Sequence, residues 1–231
     1  MTRALRFFAW LAVAAAAIFL AIQLSFVARV WWWRDHNPGN TAFMEASLTR
    51  MRAEKRDAYL KQAWVPYERI STHLKRAIVV AEDSHFIDHE GFDWEAIDKA
   101  IEKNRQKGKV VAGASTISQQ LAKNLFLSPS RTPWRKGQEA LITVMIENVM
   151  SKRRILEVYL NVIEWGDGVF GAEAAARHYF GTSAASLGPE ASARLAAMVP
   201  NPRFYDRNRN TRWLMRKTQI ILARMPAAEL P

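Results

Sequence analysis

From Phe7 to Val27 the chain is apolar, interrupted only by Gln23 and Ser25, and carries no charge. These 21 residues, at about 1.5 Å each in a helix, span roughly 30 Å, the hydrocarbon thickness of a bilayer. The run is longer than the apolar part of a secretory signal. Its exit, Ser25-Phe26-Val27-Ala28-Arg29, offers no small-residue cleavage pattern. Trp31, Trp32 and Trp33 follow, as in an aromatic belt at a membrane–water boundary. The pattern predicts one uncleaved transmembrane helix, about residues 7–27, within an anchor of residues 1–35. His36-Asn37-Pro38-Gly39-Asn40 is a turn-rich break, and the polar, helix-permissive stretch 36–63 reads as a juxtamembrane connector. From about Trp64 the apolar periodicity is helical, with neither alternating β-type segments nor an internal repeat. Residues 64–231 are predicted to form one mostly α domain.

Three of its helices carry charge where the pattern asks for apolar residues. Leu74, Ala77, Ile78 and Ala81 form a stripe that Glu82 continues, and the irregular segment after Ser84 predicts a helix end near Glu82. An anion at a helix carboxyl end among apolar neighbours is disfavoured twice, by the dipole and by desolvation. Both raise its pKa, as a general base near neutral pH requires. A salt-bridged glutamate at a helix end is the plainer alternative. The second helix is capped by Ser115 or Thr116 and has Ile117, Leu121 and Leu125 as its apolar face. Gln120, Lys123 and Asn124 cluster on the adjacent face, where they offer donors to a polar, anionic ligand.

The third helix starts at Thr132-Pro133. Arg135 and Lys136 in its first turn oppose the helix dipole, a cost that a bound anion reverses. With Arg131 and the free N–H groups of the helix start they would make a phosphate or pyrophosphate site. Glu139 precedes Ile142, Ile146 and Val149 on one face and so points inward. An Arg135–Glu139 pair on a solvated helix is the bland reading.

Composition narrows the chemistry. The chain has 231 residues and no cysteine, which excludes disulfides, thiol nucleophiles and Cys-ligated metals. Its net charge is +11, and most of that excess lies beyond the anchor. An anionic partner is expected: phospholipid, a phosphate-bearing substrate or nucleic acid. The basic stretch Arg203–Arg224 reads equally well as a solvated helix face or as a contact for anionic headgroups. The anchor's flanking arginines bias its amino terminus only slightly toward the cytoplasm. Two inward carboxylates and a cation cluster suit displacement of a phosphate-type leaving group by a base-activated hydroxyl.

Five blocks in series resemble the motifs of bacterial peptidoglycan glycosyltransferases. They are EDSHFIDHEGFD (82–93), GASTISQQLAKN (113–124), RKGQE (135–139), KRRILEVYLNVIEWGDGVFGAEAAARHYF (152–180) and ARLAAMVPNPRFYD (193–206). Long blocks in order are far more specific than one short pattern. A single anchor and no S-x-x-K resemble the monofunctional members, without the transpeptidase of class A penicillin-binding proteins.

The resemblance implies a lysozyme-like glycosyltransferase domain on the outer side of the cytoplasmic (inner) membrane, polymerising lipid II into β-1,4 glycan. It implies Glu82 as the base on the acceptor 4-hydroxyl, with inversion at the donor and loss of undecaprenyl pyrophosphate. Lys123, Arg131, Arg135 and Lys136 would neutralise pyrophosphates, and Glu139 would assist on the donor side. Ser115, Gln119, Gln120 and Asn124 would hold sugars and phosphates, and Lys99 stands near a basic position of the family. Phe86–Val111 would be a mobile, membrane-facing flap, while Glu157, Tyr159 and Asn161 would support the fold. The partners implied are lipid II, the growing lipid-linked glycan and the membrane, with room for cell-wall synthesis or division proteins and no nucleic acid. A divalent cation (Mg²⁺ or Mn²⁺) is compatible with such a transferase, but no metal ligands are assigned. Ala114 replaces a usual Gly and Thr143 a usual Ala, which touches loop geometry and removes no charge.

Three rivals are weaker. His85 and His89 at i,i+4 among acids suggest a zinc hydrolase, but HEGFD is not HExxH. A lytic or hydrolytic glycosidase of similar fold would have little use for cations at a helix start. A tethered module that binds nucleic acid or another anionic polymer leaves the inward carboxylates unexplained.

Overall fold

The computed structural model describes residues 3–231 except Val110, Ala112 and Arg131. The apolar run lies inside a helix, α1 (Arg3–Asp35). Among the described residues this is the helix long and apolar enough to cross a membrane. The stretch read as a connector is more than that. Thr41 caps α2 (Ala42–Glu54), which buries Met44 and Ser47 and packs on α5 (Ile117–Phe126). Its inner stripe of methionine and serine lacks the branched apolar residues that mark a core helix.

Ser71 caps α3 (Thr72–Glu82), whose inner stripe Leu74, Ala77 and Ile78 is fully buried. α4 (Trp94–Lys107) is capped by Asp93 and ends on the left-handed Gly108. α6 (Pro133–Val149) starts where the sequence predicts, with Thr132 as cap and Pro133 in first place. α7 (Lys152–Val162) is the central helix: Ile155, Leu156, Val158, Tyr159, Leu160 and Val162 are sealed from solvent, between α5 and α8 (Ala172–Phe180). On the other side α3 and α11 (Arg212–Arg224) both pack on α9 (Pro189–Met198). The short α10 (Pro202–Arg207) lies beside a small sheet.

That sheet is the minor β part of the mostly α domain. β1 (Lys61–Gln62) runs parallel to β3 (Val169–Phe170), which pairs antiparallel with β2 (Glu164–Gly166). Strands of two or three residues are too short to show a period of two. Two glycines make the hairpin possible. A Cβ on Gly166 would meet the Tyr179 hydroxyl at 2.5 Å, and one on Gly171, at φ +81°, would lie 2.7 Å from the Asn161 carbonyl oxygen. Asn161 joins this region to the chain before α3: its side chain accepts from Val65 N–H and donates to Val65 O, each at 2.9 Å.

Candidate active site

Glu82 is the last residue of α3, as its sequence predicts, and Asp83 closes the helix. Asp83 is buried and joins three segments. One carboxylate oxygen accepts from Ile117 N–H at the start of α5 (2.9 Å), and the carboxylate takes the Nε2–H of His89 (2.9 Å). Gly91 N–H donates to the other ring nitrogen of His89 (3.1 Å), which assigns the neutral Nε2–H tautomer. The two histidines of the zinc reading thus face different carboxylates, His89 on Asp83 and His85 on Asp93. The Phe86–Val111 segment is bolted at its near end: Phe86 is fully buried, and Lys152 donates to the His89 carbonyl.

With α3 and α5 clamped, Gln120 reaches Glu82 and donates to its Oε2 at 2.9 Å. The Tyr159 hydroxyl donates to Gln120 Oε1, also at 2.9 Å. That contact turns the NH₂ end of the amide toward Glu82. Burial raises the pKa of Glu82; the Gln120 hydrogen bond and the Lys217 and Lys123 charges oppose the rise, and neighbouring Asp83 adds to it. Glu82 lines a cavity of about 170 Å³ with Ser84, Asp93 and Ser115, whereas Gln120 lines a second of about 180 Å³ with Lys123, Asn124, Phe43 and Pro200. The Glu82–Gln120 pair therefore stands at the junction of two spaces.

The cations lie on α5 and α6. Lys123 is largely enclosed, its Nζ 5.4 Å from the centre of the Phe43 ring. Burial lowers its pKa against the fields of Glu139 and Glu82. Glu139 points inward as predicted and is almost inaccessible, but Arg135 holds one of its oxygens at 2.7 Å and Lys136 holds the other. The bland Arg135–Glu139 pair is present, therefore, and in a buried setting. Arg135 Nε is itself buried without a partner, an orphan donor that an anion would satisfy. The backbone contributes less than expected. Pro133 has no N–H, and Thr132 takes those of Arg135 (3.3 Å) and Lys136 (3.1 Å). An anion here would be held mainly by side chains.

Other expected site residues fall differently. Ser115 is exposed beside Glu82, and Thr116 does the capping. Gln119 gives its amide oxygen to its own helix: that oxygen accepts from Thr116 N–H (3.0 Å) in a capping box. Asn124 is buried, donates to the Gln120 carbonyl (2.7 Å) and lines the second cavity. Lys99 is exposed on α4 and paired with Glu95 at 2.5 Å, apart from the cation cluster. Arg131 lies outside the described residues. Glu157 pairs with Arg154, and Asn161 ties the backbone as described. Tyr159 does more than fill the core, since it orients Gln120.

Lys217 on α11 is the residue that sequence reasoning missed. Burial lowers its pKa, and the field of Glu82 opposes that. Its neighbours hold the only available signal. Leu214, Thr218 and Ile221 are the buried stripe of α11, and Lys217, three after Leu214 and four before Ile221, borders it.

The comparisons agree with this geometry. The Transglycosylase family profile matches residues 48–226. A biosynthetic peptidoglycan transglycosylase of Dechloromonas aromatica (strain RCB) is 66% identical over 214 residues, 93% of each chain. One from Methylobacillus flagellatus is 61% identical over 93% of this chain and 96% of its own. One from Chromobacterium violaceum is 59% identical over 94% and 96%. The profile spans Glu82, Gln120, the cation cluster and the α11 lysine, and the chain belongs to the transglycosylase family.

Proposed function

We propose that this chain is a peptidoglycan glycosyltransferase that polymerises lipid II, anchored by α1 with its domain on the outer face of the cytoplasmic membrane. Glu82 takes the proton of the acceptor 4-hydroxyl. The oxygen attacks the anomeric carbon of the lipid-linked donor, the bond to pyrophosphate breaks with inversion, and undecaprenyl pyrophosphate leaves with the electron pair. Lys123, Arg135 and Lys136, with Arg131 by resemblance, stabilise that departing charge. Glu139 acts as the holder of two cations and not as a proton acceptor, since both of its oxygens are engaged. Among the described residues no group of three acids or histidines gathers to hold a divalent ion, and no step here runs through one. Ser115 and Asn124 line the two cavities where sugars would sit.

The observation that carries this reading is Glu82 itself. It is a desolvated carboxylate at the junction of two cavities, with cations on the side of the second. One space for a donor, one for an acceptor and a base between them are what a two-substrate transfer requires. Hydrolysis would need only one.

The test is incubation of the full chain with labelled lipid II in detergent or bilayers, and separation of the products by gel. A lysozyme-digestible ladder, abolished by Glu82→Gln while lipid II still binds, is expected. Full turnover by Glu82→Gln overturns the base assignment, and absence of polymer from the folded parent overturns the function.

A further inference from the structure

α1 does not stand clear of the domain. Gln23, one of two polar residues in the apolar run, donates from Nε2 to Gln138 Oε1 on α6 at 3.1 Å. One turn earlier on both helices Phe19 meets Trp134, with ring centres 6.2 Å apart. The two contacts share a sequence offset of 115, so α1 and the start of α6 run in the same direction, side by side. Nearer the domain, Phe26 and Trp33 both pack on Phe126 at 5.1 Å, and Arg154 holds the Trp33 carbonyl (3.0 Å).

We propose that the Gln23–Gln138 hydrogen bond is a depth gauge, a positioning device that fixes the height of the Arg135–Glu139 turn against the bilayer. The inference rests on the membrane-anchored reading above. At 1.5 Å per residue, the shared offset sets that turn roughly 5 to 10 Å inside the end of the apolar run, in the outer hydrocarbon just beneath the lipid headgroups. Aromatic seams tolerate small slips. A pair of amides does not, because in hydrocarbon a slip of one turn strands both without partners. The exposed apolar residues Trp134, Leu141 and Val144 of α6 fit such immersion. Gln138 also adjoins Glu139, which holds both cations, so the link from anchor to cation pair is one residue long. Gln23 and Gln138 touch no substrate in this scheme and act only through position.

The chain has no cysteine, so a single spin label at Leu141→Cys reports depth cleanly. In lipid nanodiscs the label's relative accessibility to oxygen and to a polar nickel chelate is measured in the parent, with Gln23→Leu and with Gln138→Leu. Each substitution is expected to change the depth reading and to raise KM for lipid II about three- to tenfold, as loss of one interhelical hydrogen bond in a membrane implies. In detergent, where no bilayer sets a height, the KM difference vanishes, and the double variant is no worse than either single one. Unchanged depth and KM in both single variants overturn the gauge alone. A parent label that meets only the polar reagent overturns the membrane reading itself. Should the parent make no polymer, the depth readings still decide for or against the gauge.

Discussion

Tyr159 does not touch Glu82, yet its hydroxyl sets which end of the Gln120 amide faces that carboxylate, through two successive contacts of 2.9 Å. Without it the amide is free to turn its oxygen toward Glu82, and a donor becomes a repelling acceptor. Tyr159→Phe is expected to keep the fold and KM and to lower kcat about tenfold or more, the scale of one hydrogen bond to a charged group. Unchanged kcat in lipid II polymerisation removes Tyr159 from the site.

The pH profile follows from the same carboxylate. Glu82 acts ionised, and burial raises its pKa above the ordinary 4.5, so the acid limb of kcat lies at higher pH than for an exposed glutamate. Lys217 favours the ionised form. Lys217→Met is therefore expected to move the limb further up in pH, where a solvated lysine would move nothing. Rates across buffers of constant ionic strength check this.

A carboxyl whose pKa rises on folding contributes its full stability below the unfolded value, and that contribution is lost as pH climbs through the folded value. Glu82→Gln should hence melt a few degrees higher than the parent at neutral pH, and the gap should close in acid. Thermal unfolding in detergent at two pH values shows whether it does.

Glu139→Gln separates a holder of cations from a base. With Arg135 and Lys136 released, kcat/KM is expected to fall about tenfold or more, as when a charge-assisted contact is lost, while the acid limb stays where Glu82 puts it. Disappearance of the limb would make Glu139 the base instead.

Gly91 sits at φ +91°, where a Cβ would lie 2.8 Å from the Thr143 methyl and 3.0 Å from Glu147 Cγ. Gly91→Ala is expected to cost about 1–3 kcal/mol, several degrees in melting temperature. Adding Thr143→Ala should recover only part, because the strain in φ remains. Full recovery would mean that the clash was the whole cost.

Much of this was legible in the chain. The end of α3 at Glu82, the Thr132–Pro133 start and the inward face of Glu139 all follow from periodicity and capping, which are local. What escaped was tertiary. Gln119 looks free until its amide oxygen proves to cap its own helix, and the Arg135–Glu139 pair, readable as a solvated contact, proves buried and joined by Lys136. Lys217 looks like one charge among seven in its basic stretch, because nothing local says that α9 carries α11 up to α3. The sheet escaped because strands this short have no period to read.

The pairing of β1 with β3 has a bearing on how the molecule is made. Lys61 must wait for Val169, more than a hundred residues later in the chain, so the first-made part of the domain stays unclosed until α7 has emerged. α11 comes later still. A nascent chain that has released everything through α9 already holds Glu82, Gln120 and the cation turn, but not Lys217. Biosynthesis thus supplies after the rest of the site the cation whose field favours the ionised form of its base.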